Sequence, residues 1–266
     1  MPICRGLALL VLLLPLLFGV AQARPLNVGG TGGALGTLRA LAQAFEQETG
    51  TPVIVRPSLG TLGGLRAMAG GKLDIAVIGR DLTEAERARG PRRFLVTRTP
   101  FGLATSIQDP PPLAAEVIAS YLLEPRMRWP NGIPVRIVLR PAADTDYQVI
   151  YAAFPGAEAA VAQLRQRQDI PIAATDQENL DLAETIPGSL VGTTLAQVIT
   201  ERRNLRFIPL NGIRPSLEAM EAGVYSASKS FHFLVGANPS EEATAFAAFI
   251  TSPSGLALLR RCGNLP

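Results

Sequence analysis

Histidine is nearly missing from this sequence. His232 is the single one in 266 residues. A Ser-His-Asp or Cys-His catalytic site would have to use it, and a zinc site would have to lean on it. It stands in Phe231-His232-Phe233-Leu234-Val235, which reads as a strand and favours a structural histidine. The chain is therefore not expected to be an enzyme or a metal protein, and no cofactor motif stands out. A dinucleotide pattern started at Gly30 places its last glycine position on Leu35. Cysteine is as scarce, with Cys4 and Cys262 only, so the chain has no disulfide framework. Lys72 and Lys229 are the only lysines, and arginine supplies the rest of the positive charge. The formal net charge of +3 is too small to argue for nucleic acid. An aromatic content of 6% does not supply stacking platforms for single strands either. No repeat of solenoid length occurs.

Long apolar runs are also lacking, except at the start. Arg5 precedes the apolar run Gly6 to Val20, and Ala21-Gln22-Ala23 fits a small-x-small cleavage pattern. The run is short and early for a membrane span. Residues 1–23 are read as a signal peptide, and the mature chain begins at Arg24 as a soluble, periplasmic protein. Cys4 precedes the run and cannot be a lipid-anchoring cysteine at the cleavage site, and cleavage leaves Cys262 without a partner.

What the mature chain does have is alternating strands and helices, the pattern of an α/β fold. Leu26-Asn27-Val28 is a short strand running into Gly29-Gly30-Thr31-Gly32-Gly33. Leu35, Leu38, Leu41, Ala42 and Phe45 then recur at helical spacing, with Gly50 where a C-cap belongs. A glycine turn into a helix N-terminus presents unpaired amides and the positive end of the helix dipole, so it suits an anion. The alternative is a tight strand-to-helix turn. A second unit follows, Val53 to Arg56, then Ser58-Leu59-Gly60-Thr61-Leu62-Gly63-Gly64 and a short helix over 65–69. A third strand, Leu73 to Ile78, runs into Gly79-Arg80-Asp81, and Thr83 to Glu86 reads as a helix start. Thr31, Thr61 and Arg80 thus lie beyond the carboxyl ends of three strands, where open α/β sheets bind ligands.

Phe94 to Ser106 reads as two short strands around Pro100, and Asp109 to Pro112 as a stiff boundary. A strand over 134–139 ends in Arg140, and a helix continues from Tyr147 to Phe154, capped by Asp144 or Thr145. Arg140 at that position suits an anion clamp, or else pairs with Asp144 or Asp146. Helices are expected over 157–167 and 176–184, strands over 190–193, 207–210 and 231–235, and two closing helices split by Pro253. Glu201-Arg202-Arg203 reads as solvated surface.

In this order the motifs resemble the periplasmic substrate-binding proteins of phosphate-type ABC importers, within the type II periplasmic-binding-protein fold. The residues that carry the likeness are Val28 to Gly33, Glu48-Thr49-Gly50, Leu59 to Gly64, Leu73-Asp74-Ile75-Ala76 and Gly79-Arg80-Asp81-Leu82. Ile186 to Gly192, Ser252 to Gly255 and Cys262 to Pro266 extend it to the end. The resemblance implies two α/β lobes that close on a small ligand. Lobe one would hold 24–106 and 223–266, and lobe two 107–222. It implies a non-catalytic, monomeric exported protein that binds an oxyanion such as phosphate for an ABC permease. The rival is a ligand-sensing or partner-binding component of the same fold, acting on a periplasmic sensor without transport. Ligand contacts would come from Thr31, Gly32, Thr61 and Arg80 in lobe one and from Arg140, Asp144 and Thr145 in lobe two. Two departures fall on the ligand side. Asp144-Thr145-Asp146 replaces the family's Ser-Gly-Thr, and Gly79 stands where the family has the aspartate that accepts a phosphate proton. Carboxylates beside a dianion repel it unless one is protonated.

Overall fold

The computed structural model describes residues 24–124 and 126–266. The expected signal segment with Cys4 lies outside the described residues. The chain starts with β1 (Leu26–Gly30), a 3₁₀ turn and α1 (Leu35–Thr49). The buried face of α1 is Leu35, Leu38, Leu41, Ala42 and Phe45, and Gly50 ends the helix in the left-handed region at φ 73°. β2 (Val53–Val55), α2 (Gly60–Ala69) and β3 (Ile75–Ile78) follow. The glycine-rich stretch Gly60 to Gly64 is the first part of α2, not a loop before it. The reason is packing: a Cβ on Gly64 would lie 3.0 Å from Gly30 Cα, so only glycine lets the helix cross β1 this closely.

α3 (Glu84–Arg87) is held by a capping box between Thr83 and Glu86. Next come β4 (Arg92–Thr105), α4 (Ile118–Leu123), β5 (Arg136–Ile137), α5 (Asp146–Ala153), α6 (Ala157–Leu164) and α7 (Asp176–Thr185). β6 (Ser189–Thr194), α8 (Leu195–Thr200), β7 (Arg206–Phe207) and α9 (Leu217–Glu221) lead to β8 (Ser228–Val235), α10 (Glu241–Thr251) and α11 (Pro253–Arg261). The strand order is β2-β1-β3-β8-β4-β6-β5, with β7 also on β4. β1 pairs in parallel with β2 and β3, and β5 with β6, while β8 and β4 pair antiparallel to their neighbours.

β4 is one continuous strand through Pro100, where the sequence pattern predicts two short ones. Pro100 faces Ser228, the first residue of β8, and the next residue, Phe101, already pairs with Thr194 of β6. The proline sits where β4 changes partners, so its missing N–H interrupts neither ladder. β4 thereby runs from one core to another. In the first core, Leu26, Val28, the α1 face, Phe231, Phe246, Ile250 and Leu259 pack together. Ala196 of α8 joins this core. In the second, Trp129, Phe154, Ile118, Leu164, Leu190 and Ile208 pack together, and Trp129 Nε1 donates to Gly188 O at 2.9 Å. The close of the chain therefore folds back on the first half.

The Glu201–Arg203 stretch differs from its expected solvated state. Arg203 reaches Asp181 at 2.5 Å, Glu184 at 3.2 Å and Glu201 at 2.9 Å, and so ties α7 to the turn after α8. Arg202 takes φ 53° and stays exposed, and this turn points Arg203 inward.

Candidate functional site

Three loops of the first half meet at the cleft between the cores. Thr31 follows β1 and is pinned by its amide, which donates to Val77 O at 2.8 Å. Gly30 takes φ 131° there, and a Cβ on it would fall 2.0 Å from Val77 O. Thr61 lies in the first turn of α2 and its Oγ1 accepts from the Gly79 amide at 3.0 Å, which joins α2 to the end of β3. No side chain caps α2 at its N-cap, Leu59. The first-turn amides of α2 thus lack a side-chain acceptor, and its dipole points at the cleft. Arg80 lies on the cavity wall, but both guanidinium nitrogens bond Glu86 at 2.8 Å. That bond holds the Glu86 carboxyl down at about 2.

The second half contributes Arg140, which is only 7% exposed. Its backbone is fixed by Tyr147, whose hydroxyl accepts from Arg140 N and donates to Arg140 O, both at 3.0 Å. Nη1 donates to Ala173 O at 2.7 Å, and Nη2 reaches Asp144 at 2.5 Å and Asp176 at 3.4 Å. Nε is buried and has no hydrogen-bond partner among the described residues. Asp144 Oδ1 accepts from the Asp146 amide at 2.9 Å, so Asp144 rather than Thr145 holds the start of α5.

Thr31, Thr61, Arg80, Arg140, Asp144 and Thr145 line a single cavity of ≈ 380 Å³, together with Ser58, Arg66 and Asp176. Gly32 lies behind this wall. Its carbonyl accepts from Gln177 Nε2 at 3.0 Å, and a Cβ on it would meet Asp176 Oδ2 at 2.4 Å. The cleft also contains residues that motif reading passes over. Lys229 of β8 pairs with Asp146 and donates to Thr145 Oγ1 at 2.9 Å. Asp176 and Gln177 come from the first turn of α7. A signal for Lys229 is present in the sequence. In an arginine-rich chain, one of two lysines falls in register with Phe231 and Phe233 on the buried side of a strand. Asp176 carries no signal of its own, because an acidic first turn is ordinary helix chemistry.

A model of the PBP superfamily domain matches residues 19–254. The chain belongs to the PBP superfamily. Among solved structures, one from Clostridium perfringens is described as a putative phosphate ABC transporter substrate-binding protein with bound phosphate. It superposes with a TM-score of 0.73 at 15% identity, over 91% of this chain and 99% of that one. An ABC-type phosphate transport receptor from Vibrio cholerae gives 0.56 at 15% identity, over 91% and 100%. The periplasmic molybdate-binding protein of Azotobacter vinelandii gives 0.56 at 16%, over 91% and 99%. A search of curated proteins found no match. The fold is that of a two-lobed type II periplasmic-binding protein, with its cleft between the lobes.

Arg140 and Lys229 contact Asp144, Asp146 and Asp176, and Arg66 and Arg80 stand on the same cavity wall. Burial pushes the Asp146 carboxyl up to about 6, only partly offset by Lys229. Burial pushes Asp176 up as well, against the pull of Arg140 and Lys229. Burial works to lower Lys229, but the carboxylates of Asp146, Asp144 and Asp176 outweigh it and hold the ammonium above its ordinary range. His232 contacts Arg93 and Asp81 and is buried, and that burial pushes its imidazole below the ordinary histidine range.

Proposed function

We propose that the protein is an exported solute-binding component that takes a small oxyanion of the phosphate class between its lobes, for an ABC importer. In this reading lobe one holds roughly 24–106 and 223–266, and lobe two roughly 107–222, with α8 of that span reaching back into the first core. The observation that carries it is the ≈ 380 Å³ cavity onto which the uncapped α2, the Thr31 hydroxyl and Arg140 converge. Arg140 stands on that cavity wall with its guanidinium held by Ala173 O, Asp144 and Asp176. An anion there gains charge-assisted hydrogen bonds, each contributing about 1.5–3 kcal/mol. Asp144 and Asp176 on the same wall require that it arrive carrying a proton to donate, or that a carboxyl hold one. The protein binds and releases its solute without chemistry, as a monomer in the periplasm.

Calorimetric titration of phosphate and sulfate tests this reading. Wild type should bind phosphate, which carries a proton, more tightly than sulfate, which does not. Arg140→Ala should weaken phosphate by roughly tenfold to a hundredfold. Phosphate affinity unchanged by Arg140→Ala would place the site elsewhere. The rival, a sensing or partner-binding component, is favoured by one feature: Arg80 and Arg140 already have carboxylate partners inside the chain. Absence of binding by any small anion would decide for it.

A further inference from the structure

Binding proteins of this shape are expected to close when a ligand bridges the lobes. Here the chain supplies its own bridge. Lys229 leaves lobe one on β8 and meets Asp146 and Thr145 at the start of α5 in lobe two. The Lys229 and Asp146 side chains are 2% and 6% exposed. Gln177 of α7 adds a second tie, to Gly32 O. The bridge also fills space. A Cβ at Gly79 would lie 2.5 Å from Thr145 Oγ1 and 3.0 Å from Lys229 Cε, so residue 79 can carry no side chain while the bridge stands. Two hollows of the cleft, the ≈ 380 Å³ cavity and another of ≈ 480 Å³ beside Gly79 and β8, share Thr145 and Arg80 as common walls.

We propose that Lys229 closes the cleft and sets what it can hold. Tied to Asp146 and Thr145, it keeps the lobes together with no ligand present and takes the space beside Gly79. Any anion is thereby confined to the chamber of Thr31, α2 and Arg140. The second part rests on the ligand reading above; the closure does not. A buried ion pair need not be stabilising in net terms, but a buried charge that loses its partner is strongly unfavourable. Removing the ammonium takes away the link itself: Asp146, left without its partner, either takes up a proton in place or turns to water, and in both cases the lobes lose this tie across the cleft.

Small-angle X-ray scattering of the mature, ligand-free protein tests the closure. Wild type should show a radius of gyration of about 18 Å, the value of a compact chain of this length, unchanged by added phosphate. Lys229→Met should increase it, and the charge-swapped Lys229→Asp/Asp146→Lys protein should return it towards wild type. If Lys229→Met does not fold, Lys229→Ser/Asp146→Ser leaves neither an unpaired charge nor a new apolar contact and should be folded and expanded. A ligand-free wild type that is expanded and contracts on phosphate would overturn the proposal. So would a folded Lys229→Met, or Lys229→Ser/Asp146→Ser, as compact as wild type. Wild type that is compact but binds no anion in the calorimeter would remove the oxyanion reading and leave the closure standing.

Discussion

Asp146 gives up its hydration in the cleft, and Lys229 returns only part of that loss, so its carboxyl titrates at about 6 instead of near 3.8. The folded state then holds a proton that the unfolded chain has already released between about pH 4 and 6. Stability must fall as pH rises through that window and level off above it. A rise of this size corresponds to about 3 kcal/mol at most, and Asp176 acts in the same direction. The opposing group, Glu86, is held at about 2 by Arg80, so its contribution is present above about pH 4.5 and lost only as pH falls towards 2. The two windows barely overlap. The melting temperature of wild type should therefore drop between pH 5 and pH 7, and Asp146→Asn should flatten that drop. An equal slope in the variant would mean that Asp146 keeps an ordinary carboxylate pKa.

The elements divide into those that local pattern specifies and those that it cannot. α1 is legible because its apolar spacing, its buried face and Gly50 all give one answer. The start of α2 is not, since glycines at 60, 63 and 64 read as loop until β1 is known to pass beneath them. β4 escapes local pattern at Pro100 for a similar reason: an exchange of partner strands leaves no trace in the strand's own residues. Gly30 and Gly50 show how neighbours decide the cost of one change. Both have positive φ, but a Cβ at Gly50 meets nothing within 4 Å, whereas at Gly30 it strikes Val77 O. Gly50→Ala should cost about 1 kcal/mol, the penalty of the left-handed conformation. Gly30→Ala should cost roughly 3 kcal/mol or more, because β1 must separate from β3. Urea denaturation of both variants checks the difference, and equal costs would show that the β1 turn relaxes freely.

On the scale of the molecule, the cleft is half legible. Thr31, Thr61 and Arg80 follow strand ends, and Arg140 precedes a helix, so each is marked by its own segment, and they line one cavity with Asp144 and Thr145. The internal partners of those charges are hidden, because Lys229 lies 83 residues from Asp146 and Asp176 lies 36 from Arg140. Only the folded chain brings them together. β1 begins at Leu26, which is 2% exposed and whose amide donates to Pro52 O at 2.9 Å, just beyond the expected cleavage point. Both cores are built from residues 26 onwards. Cleavage after Ala23 would also remove Cys4. Cys262 then remains as a lone buried thiol, pushed up by its burial and without a disulfide partner. Protein recovered from the periplasm should begin Arg24-Pro25-Leu26, and its melting temperature should be the same with and without reductant. Recovery from membranes with Met1 intact would refute cleavage, and a melting temperature that falls with reductant would show that Cys262 is cross-linked to a second chain.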